Sequence, residues 1–278
     1  MRPCILPAVI LSLLLGWTAV AESGVGFAVS PSNFRIKKPA GETGSAKIKL
    51  HNKGTYPITI STEVTDMVTV KSIDGSSVRD EAPAATTPHS CAKWIQLVQG
   101  GELLVPPGET ATVEFVVSPP PEIQTGGYGA YLFFIARPVY AGPPDKSDKP
   151  EVRLVTVPRL GVSVVYEVEG TLQRKGDLLD LKLTPPGATE PMRIRHEFRN
   201  TGNAEVVLTG SFHVLDPEGL LVGKGTLKTL KTFPGEAGAI ESTWNTTLPK
   251  GRYTALITFE LGPDAETAIV KELEFVVP

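Results

Sequence analysis

Short stretches in which apolar and polar residues alternate run through most of the chain. Residues 46–51 read Ala-Lys-Ile-Lys-Leu-His, and the same period of two recurs at 112–115, 192–199, 253–261 and 273–277. Successive side chains of a strand point to opposite faces, so this pattern predicts half-buried antiparallel strands. Turns rich in Gly and Pro separate the strands, and the chain contains 27 Gly and 25 Pro. Many short strands with such turns predict an all-β protein built from sandwiches.

Three landmarks occur twice in the chain, in the same order both times. They are HNKGTYPITI (51–60) and RNTGNAEVVL (199–208), then PPGETATVEF (106–115) and FPGEAGAIES (233–242), then GGYGAYLFF (126–134) and KGRYTALITF (250–259). An ordered repeat of this kind predicts two domains of one type. The Asn-x-Gly of the first landmark is typical of a hairpin that needs positive φ, and the Pro-Gly of the second is typical of a tight turn.

The boundary between the domains depends on a proline-rich stretch. Residues 138–151 have the composition of a linker, but 151–168 follow as a long strand-rich segment. The first sandwich needs a last strand, so we place 138–151 in a loop within it. The prediction is an N-terminal immunoglobulin-like domain over 22–168 and a C-terminal immunoglobulin-like domain over 169–278.

The first 21 residues have a different character. Arg2 is followed by an apolar run over 5–15 and by Ala19-Val20-Ala21, which predicts a signal peptide cleaved after Ala21. The alternative, a signal anchor, needs a longer apolar run of about 20 residues. We therefore expect an exported protein, periplasmic or secreted, with no transmembrane segment after cleavage. Cys91 is then the only cysteine, so we expect no intramolecular disulfide.

The charge and the motifs argue against several function classes. A net charge of -3 gives no basis for nucleic-acid binding, which needs clustered Lys and Arg. The four histidines have no metal-ligand spacing, and no hydrolase, phosphate-loop or dinucleotide motif is present. His89-Ser90-Cys91 is interpreted as a loop histidine beside a half-buried cysteine. We expect no catalytic residue, no metal and no small-molecule cofactor, and therefore a protein-binding role rather than an enzyme.

The stretch TGGYGAYLFFIARP at 125–138 is apolar on both of its faces. One set of alternate residues is Tyr128, Ala130, Leu132, Phe134 and Ala136, and the other is Tyr131, Phe133 and Ile135. Two interpretations remain open. The stretch is either a central strand packed on both sides, or a strand with one face lining a groove for a partner chain.

Four segments resemble the N-terminal immunoglobulin-like domain of the periplasmic chaperones of the chaperone–usher pilus pathway. FAVSPSNFR (27–35) resembles the first strand, PPGETATVEFVVSPP (106–120) the Pro-Gly turn and the strand after it, YGAYLFFIARP (128–138) the aromatic-rich strand, and VRLVTVPRLGVSVVYEV (152–168) the long last strand. The resemblance covers most of 27–168. It implies a factor for pilus assembly that acts on a protein client.

The resemblance also implies roles for particular residues. In that family the last strand completes an unfinished subunit by strand addition, which here assigns the donor edge to Leu154, Val155, Thr156, Val157 and Arg159. Pro158 lacks a backbone donor, which suits an edge strand.

Family members also anchor the client's terminal carboxylate with two basic residues. Arg35 matches the first of them. Ser163 occupies the position of the second, and Arg159 is the nearest basic residue before it.

A second resemblance is to the WxL-interacting cell-surface proteins of Gram-positive bacteria, which carry similar domains and turns. It implies an envelope or cell-wall component as the partner. Those proteins end in a membrane anchor and a basic tail, whereas this sequence ends in Val277-Pro278, which favours the periplasm. We predict a chaperone-like factor that binds a client by strand addition, with an envelope adhesion protein as the alternative.

Overall fold

The computed structural model describes residues 26–72, 74–140, 156–262, 265 and 268–278. The predicted signal peptide, Leu154 and Val155 lie outside these residues. Almost all regular structure in the described part is strand, with one short 3-10 helix at Ala92–Trp94. The prediction of an all-β protein is confirmed.

The first sandwich is formed by residues between 27 and 168. Sheet A contains, in spatial order, β1 (Phe27–Ser30), β3 (Gly44–Asn52), β8 (Thr110–Val117) and β6 (Ile95–Leu97). Sheet B contains β2 (Asn33–Lys38), β10 (Arg159–Val168), β9 (Gly127–Pro138), β4 (Ile58–Lys71) and β5 (Ser77–Ala82), and β7 (Leu103–Val105) also pairs with β4. β2 runs parallel to β10, and β9 runs antiparallel to both of its neighbours.

The second sandwich is formed by residues between 176 and 277. Sheet C contains β11 (Gly176–Thr184), β12 (Met192–Asn200) and β15 (Ala237–Trp244). Sheet D contains β14 (Leu221–Thr232), β13 (Val206–Leu215), β16 (Gly251–Glu260) and β17 (Ala268–Val277). The first, second and fifth strands share one sheet while the third, sixth and seventh share the other, which is the immunoglobulin arrangement. Two immunoglobulin-like sandwiches in tandem are therefore confirmed.

Each sandwich has its own apolar core, supplied by the residues that alternate inward. Phe115, Phe134 and Tyr166 are fully buried in the first core, and Phe198 and Phe259 are fully buried in the second. Burial of this aromatic and aliphatic surface is the main stabilising term of each domain. The period of two in the sequence therefore matches the faces of the sheets.

The repeated landmarks occupy equivalent places in the two sandwiches. The Asn52 amide donates to Tyr56 O at 2.8 Å and to Val105 O at 3.0 Å. In the same way the Asn200 amide donates to Ala204 O and to Thr232 O, both at 2.9 Å. Each of these asparagines is fully buried and ties the turn after its own strand to a second segment.

The hairpin predicted for the Asn-x-Gly landmark is wrong. β3 belongs to sheet A and β4 to sheet B, and likewise β12 and β13 lie in different sheets, so each landmark is a crossing between sheets. Positive φ occurs instead in the Pro-Gly-Glu turns, at Gly108 (75°) and Gly235 (83°). Both glycine N–H groups donate at 2.9 Å to the main-chain oxygens of Asn52 and Asn200. The side chain of each asparagine supplies the turn's hydrogen bonds, so the crossing needs no left-handed residue.

Candidate functional site

The apolar stretch noted in the sequence forms β9, the strand between β10 and β4. Ala130, Leu132, Phe134 and Ala136 are fully buried in the core. The alternate residues Tyr131, Phe133 and Ile135 are half-buried on the outer face of sheet B. β9 is therefore a central strand with one partly accessible face, and the contact of that face with a partner chain stays a prediction.

Among the described residues, β10 has a neighbouring strand on one side only over its first four residues. It pairs with β9 from Arg159 through Glu167, whereas its pairing with β2 begins at Ser163. We call residues Arg159–Val162 the open edge. The sequence placed the donor edge around 154–159, of which Leu154 and Val155 lie outside the described residues. Thr156 and Val157 precede the strand and are exposed.

The direction of the main-chain groups along β10 follows from two hydrogen bonds. Ala136 N donates to Pro158 O at 2.9 Å, so the even-numbered residues face β9. Ser163 N donates to Ser32 O at 3.0 Å, so the odd-numbered residues face the opposite side. Since the direction alternates along a strand, the N–H and C=O groups of Arg159 and Gly161 face the open edge.

The side chain of Arg159 lies across the outer face of sheet B. Its guanidinium stacks on the Phe133 ring at 3.5 Å from the centroid and donates two hydrogen bonds to Glu81, at 2.8 and 2.7 Å. A third hydrogen bond joins it to Glu63 at 3.0 Å. The hydrogen bond from Arg159 is the main reason why the pKa of Glu81 lies below its usual value. Arg159 therefore covers part of the apolar surface of β9.

Arg35, the predicted carboxylate anchor, lies on β2 beside the junction of the two sandwiches. It donates from Nη1 to Glu167, and from Nη2 to Glu205 at 2.7 Å. Glu167 is fully buried and also accepts from Arg174 Nη2 at 2.5 Å. Burial by itself lowers the pKa of Arg35, but the charges of Glu167 and Glu205 together raise it above its usual value. Two carboxylates of the chain itself therefore already bind the predicted carboxylate anchor.

A second arginine at the junction was missed by the sequence analysis. Arg79 on β5 donates to Glu236 Oε2 at 2.8 Å, and its guanidinium lies 4.4 Å from the centre of the Phe233 ring. Glu236 belongs to the Pro-Gly-Glu landmark of the second sandwich, 157 positions from Arg79. No local pattern signals a pair so distant in sequence. Phe233 also packs with Met67 and Val165, so the junction has an apolar part beside its charged part.

The His89-Ser90-Cys91 stretch is structural. The thiol of Cys91 is fully buried, not half-buried as expected, and burial raises its pKa far above the usual value. The His89 ring lies 5.6 Å from that of Tyr128, and its Nδ1 is 3.3 Å from Gly127 O.

Within the described residues, no three His, Cys, Asp or Glu side chains are grouped so that they could hold a metal ion. The same part of the chain contains no helix long and apolar enough to cross a membrane.

Comparison with known proteins finds no matching family model and no matching curated relative. Solved structures that are similar to this chain include fimbrial chaperones. The class 5 fimbriae chaperone CfaA is 12% identical with a TM-score of 0.45, covering 89% of this chain and 98% of that one. The Escherichia coli chaperone DraB is 11% identical with a TM-score of 0.43, over 90% and 98% of the two chains.

A third similar structure is the CsuC–CsuE chaperone–tip adhesion subunit complex of Acinetobacter baumannii. It is 10% identical to this chain with a TM-score of 0.44, over 89% and 97% of the two chains. Identities and scores at this level carry no function from these proteins to this chain.

Proposed function

We propose that this protein binds a client polypeptide by β-strand addition along the open edge of β10. The observation that carries the proposal is the set of main-chain groups at Arg159 and Gly161, which face away from β9 before the pairing with β2 begins at Ser163. Such groups are a template for a further strand, which gains affinity from main-chain hydrogen bonds. The added strand continues the line of β2 along sheet B.

The surroundings of the open edge suit a client strand with apolar side chains. Leu160 points inward beside the edge and is half-buried, so an inward side chain of the added strand extends the core contact. On the outer face, where Arg159 covers Phe133, Ile135 of β9 supplies a second apolar surface one strand away. Alternate side chains of a strand contact both surfaces, which gives the specificity that main-chain bonds lack. The client class that we propose is a small β-rich subunit of a surface fibre, as the sequence resemblance implies.

The test uses two substitutions at one position. Arg159→Ala removes the side chain and keeps the N–H, whereas Arg159→Pro removes both. We expect the proline variant to bind the client roughly tenfold more weakly than the alanine variant, the value of one main-chain hydrogen bond. Equal urea unfolding midpoints for the two variants show that the fold is intact.

Two quantities are measured, namely the amount of client that the protein captures and the residues of the protein that the client contacts. The protein is purified from the periplasm, its bound client is identified by mass spectrometry, and amide hydrogen exchange is compared with and without that client. Protection of the Arg159 and Gly161 amides on binding supports the proposal. Capture without such protection, or capture that is equal in the alanine and proline variants, contradicts it.

We further propose that Arg35 binds the client's terminal carboxylate in exchange for Glu205. Glu205 lies on the second sandwich, and its Oε2 accepts from Arg35 at 2.7 Å. Glu205→Gln weakens this internal competitor, so client capture should increase, whereas Arg35→Ala should decrease it. If neither variant changes the amount captured while strand addition is intact, Arg35 has no anchor role.

Export is part of the same proposal. The predicted cleavage after Ala21 gives a mature chain that begins at Glu22. N-terminal sequencing of the protein recovered from the periplasm tests it. A chain recovered only from the cytoplasm with Met1 retained would contradict both the export and the proposed client.

A further inference from the structure

The first sandwich contains a mainly apolar cavity beside the connection formed by residues 98–102. Its volume is about 200 Å³, and its inner wall is formed by Leu50, Ile60, Val113 and Phe134. All four side chains belong to the core and come from both sheets. They are at most 5% exposed, so the apolar surface that a ligand can contact is formed by the outer lining, which includes the half-buried Leu97 and Leu103.

The cavity is open where the chain crosses from sheet A to sheet B. β6 pairs with β8 in sheet A, and β7 pairs with β4 in sheet B. Residues 98–102 connect these strands, and Gly100 and Gly101 form part of the rim. A Cβ added at either glycine meets no atom within 4 Å, so this part of the rim is bordered by open space. Because these two glycines carry no side chain, the rim stays open at this point, while the core side chains beneath it remain covered.

We propose that this cavity binds a small uncharged molecule with an apolar ring or short chain and a single hydrogen-bonding head group. An apolar protein cavity of about 150 Å³ is large enough to take up benzene. A volume of about 200 Å³ therefore accommodates a benzene-sized ring with a short substituent. The half-buried side chains of Leu97 and Leu103 bind the ring by removing it from water.

The rim determines the head group. Gln99 lies on it, and the Gln99 amide oxygen accepts from Glu114 N at 3.3 Å. The amide nitrogen of Gln99 is then the group that it offers to a ligand, which calls for an acceptor such as a hydroxyl. Glu102 is the one charged residue among the described residues that line the cavity. A carboxylate ligand would lose water beside a negative charge, so a neutral head group is preferred.

The test titrates the intact protein with benzyl alcohol and, separately, with benzoate. Two-dimensional amide NMR follows the binding, and we expect saturable shifts centred on Gly100, Gly101 and Val113 with benzyl alcohol. Benzoate carries the same ring with a negative charge and should bind several-fold more weakly. Glu102→Gln should narrow that difference in affinity between the two ligands.

Two neighbouring leucines of β7 provide a matched pair of variants. Leu103 lines the cavity, whereas Leu104 is 60% exposed. Leu103→Trp fills the cavity and should weaken benzyl alcohol binding by about tenfold or more. Leu104→Trp adds the same bulk outside and should leave it unchanged.

Three outcomes overturn the proposal. They are shifts that do not saturate or are spread over the whole surface, equal binding of the alcohol and the carboxylate, and competition between benzyl alcohol and a captured client protein. The last outcome would assign the cavity to a side chain of the client. If Leu103→Trp does not fold, the comparison of the two ligands on wild type and on Glu102→Gln still decides the matter.

Discussion

The stability of the second sandwich should fall in mild acid because of one buried histidine. His196 on β12 is 1% exposed, and its ring packs 5.0 Å from that of Phe259. Neither ring nitrogen has a hydrogen-bond partner within the described residues. Burial, with a smaller contribution from the charge of Arg195, lowers the pKa of His196 to about 4 from the usual 6.5. The native state therefore holds this ring neutral.

The sign and the size of the effect follow from linkage. Between pH 6.5 and about 4, the unfolded chain binds a proton at His196 and the native chain does not. Stability is therefore fully present above the unfolded pKa and is lost as the pH falls toward the folded pKa. One pKa unit corresponds to about 1.4 kcal/mol, so the whole change is of the order of 3 kcal/mol. That loss is a large fraction of the ~5–15 kcal/mol that stabilises a typical domain.

The assay is urea unfolding of wild type and of His196→Leu at pH 7.5 and at pH 4. Leucine removes the titrating ring and the two nitrogens without partners, so it should leave stability equal or higher at neutral pH. We expect wild type to lose about 3 kcal/mol more than the variant between the two pH values. His213 on the neighbouring β13 is exposed, and His213→Gln is the matched control. Identical pH slopes for wild type and His196→Leu would refute the reasoning.

Three further predictions concern buried polar groups, and each is measured by urea unfolding. Glu167→Gln removes the charge that Arg174 binds, and we expect a loss of about 3–5 kcal/mol, whereas a loss near zero would show that the pair contributes nothing. Asn52→Ala and Asn200→Ala each remove two hydrogen bonds from the side-chain amide to main-chain carbonyls, so both should lose ~2–4 kcal/mol, and clearly unequal losses would contradict their equivalence. Burial raises the pKa of Asp66, but the Ser90 hydroxyl and three backbone N–H groups outweigh it and lower the pKa below its usual value. The stabilisation from ionised Asp66 is present above a pH of about 4 and is lost as the pH falls through the lowered pKa. The free energy of unfolding of Asp66→Asn should therefore depend less on pH between pH 5 and 2 than that of wild type. An unchanged pH dependence would contradict this account.

The fold was predictable because its signals are local. Alternation in a stretch such as 46–51 reports which face of a strand is buried, and that face is the core face in the structure. The ordered repeat reports a second copy of the same sandwich, and the buried asparagines confirm the match in detail. The wrong element was the Asn-x-Gly hairpin. Sequence shows that a turn is present, but whether the next strand joins the same sheet depends on the packing of distant segments.

The candidate site was predictable only in outline for the same physical reason. The resemblance placed an edge strand before position 160, and the first four residues of β10 form an edge. However, Arg159 was predicted to belong to the donor edge, and its side chain instead binds Glu63 and Glu81, which are 96 and 78 positions away. Ion pairs between residues so far apart leave no periodic trace in a sequence. The main chain of Arg159 belongs to the proposed site, while its side chain belongs to the outer face of sheet B.

Arg35 of the first sandwich is bound by a carboxylate of the second sandwich. Glu205 lies 170 positions from Arg35, yet it is one of the two carboxylates that bind it. A client carboxylate that binds Arg35 must displace Glu205 from it, which leaves the negative charge of Glu205 with one ion-pair partner fewer. Client binding and the contact between the sandwiches therefore compete for the same guanidinium. Binding free energies are linked reciprocally. A client anchored at Arg35 should therefore loosen the junction, whereas a client held only at the open edge should leave it unchanged. The exchange rate of the Gly127 amide, which donates to Asn203 O at 2.8 Å across the junction, separates these two modes of binding.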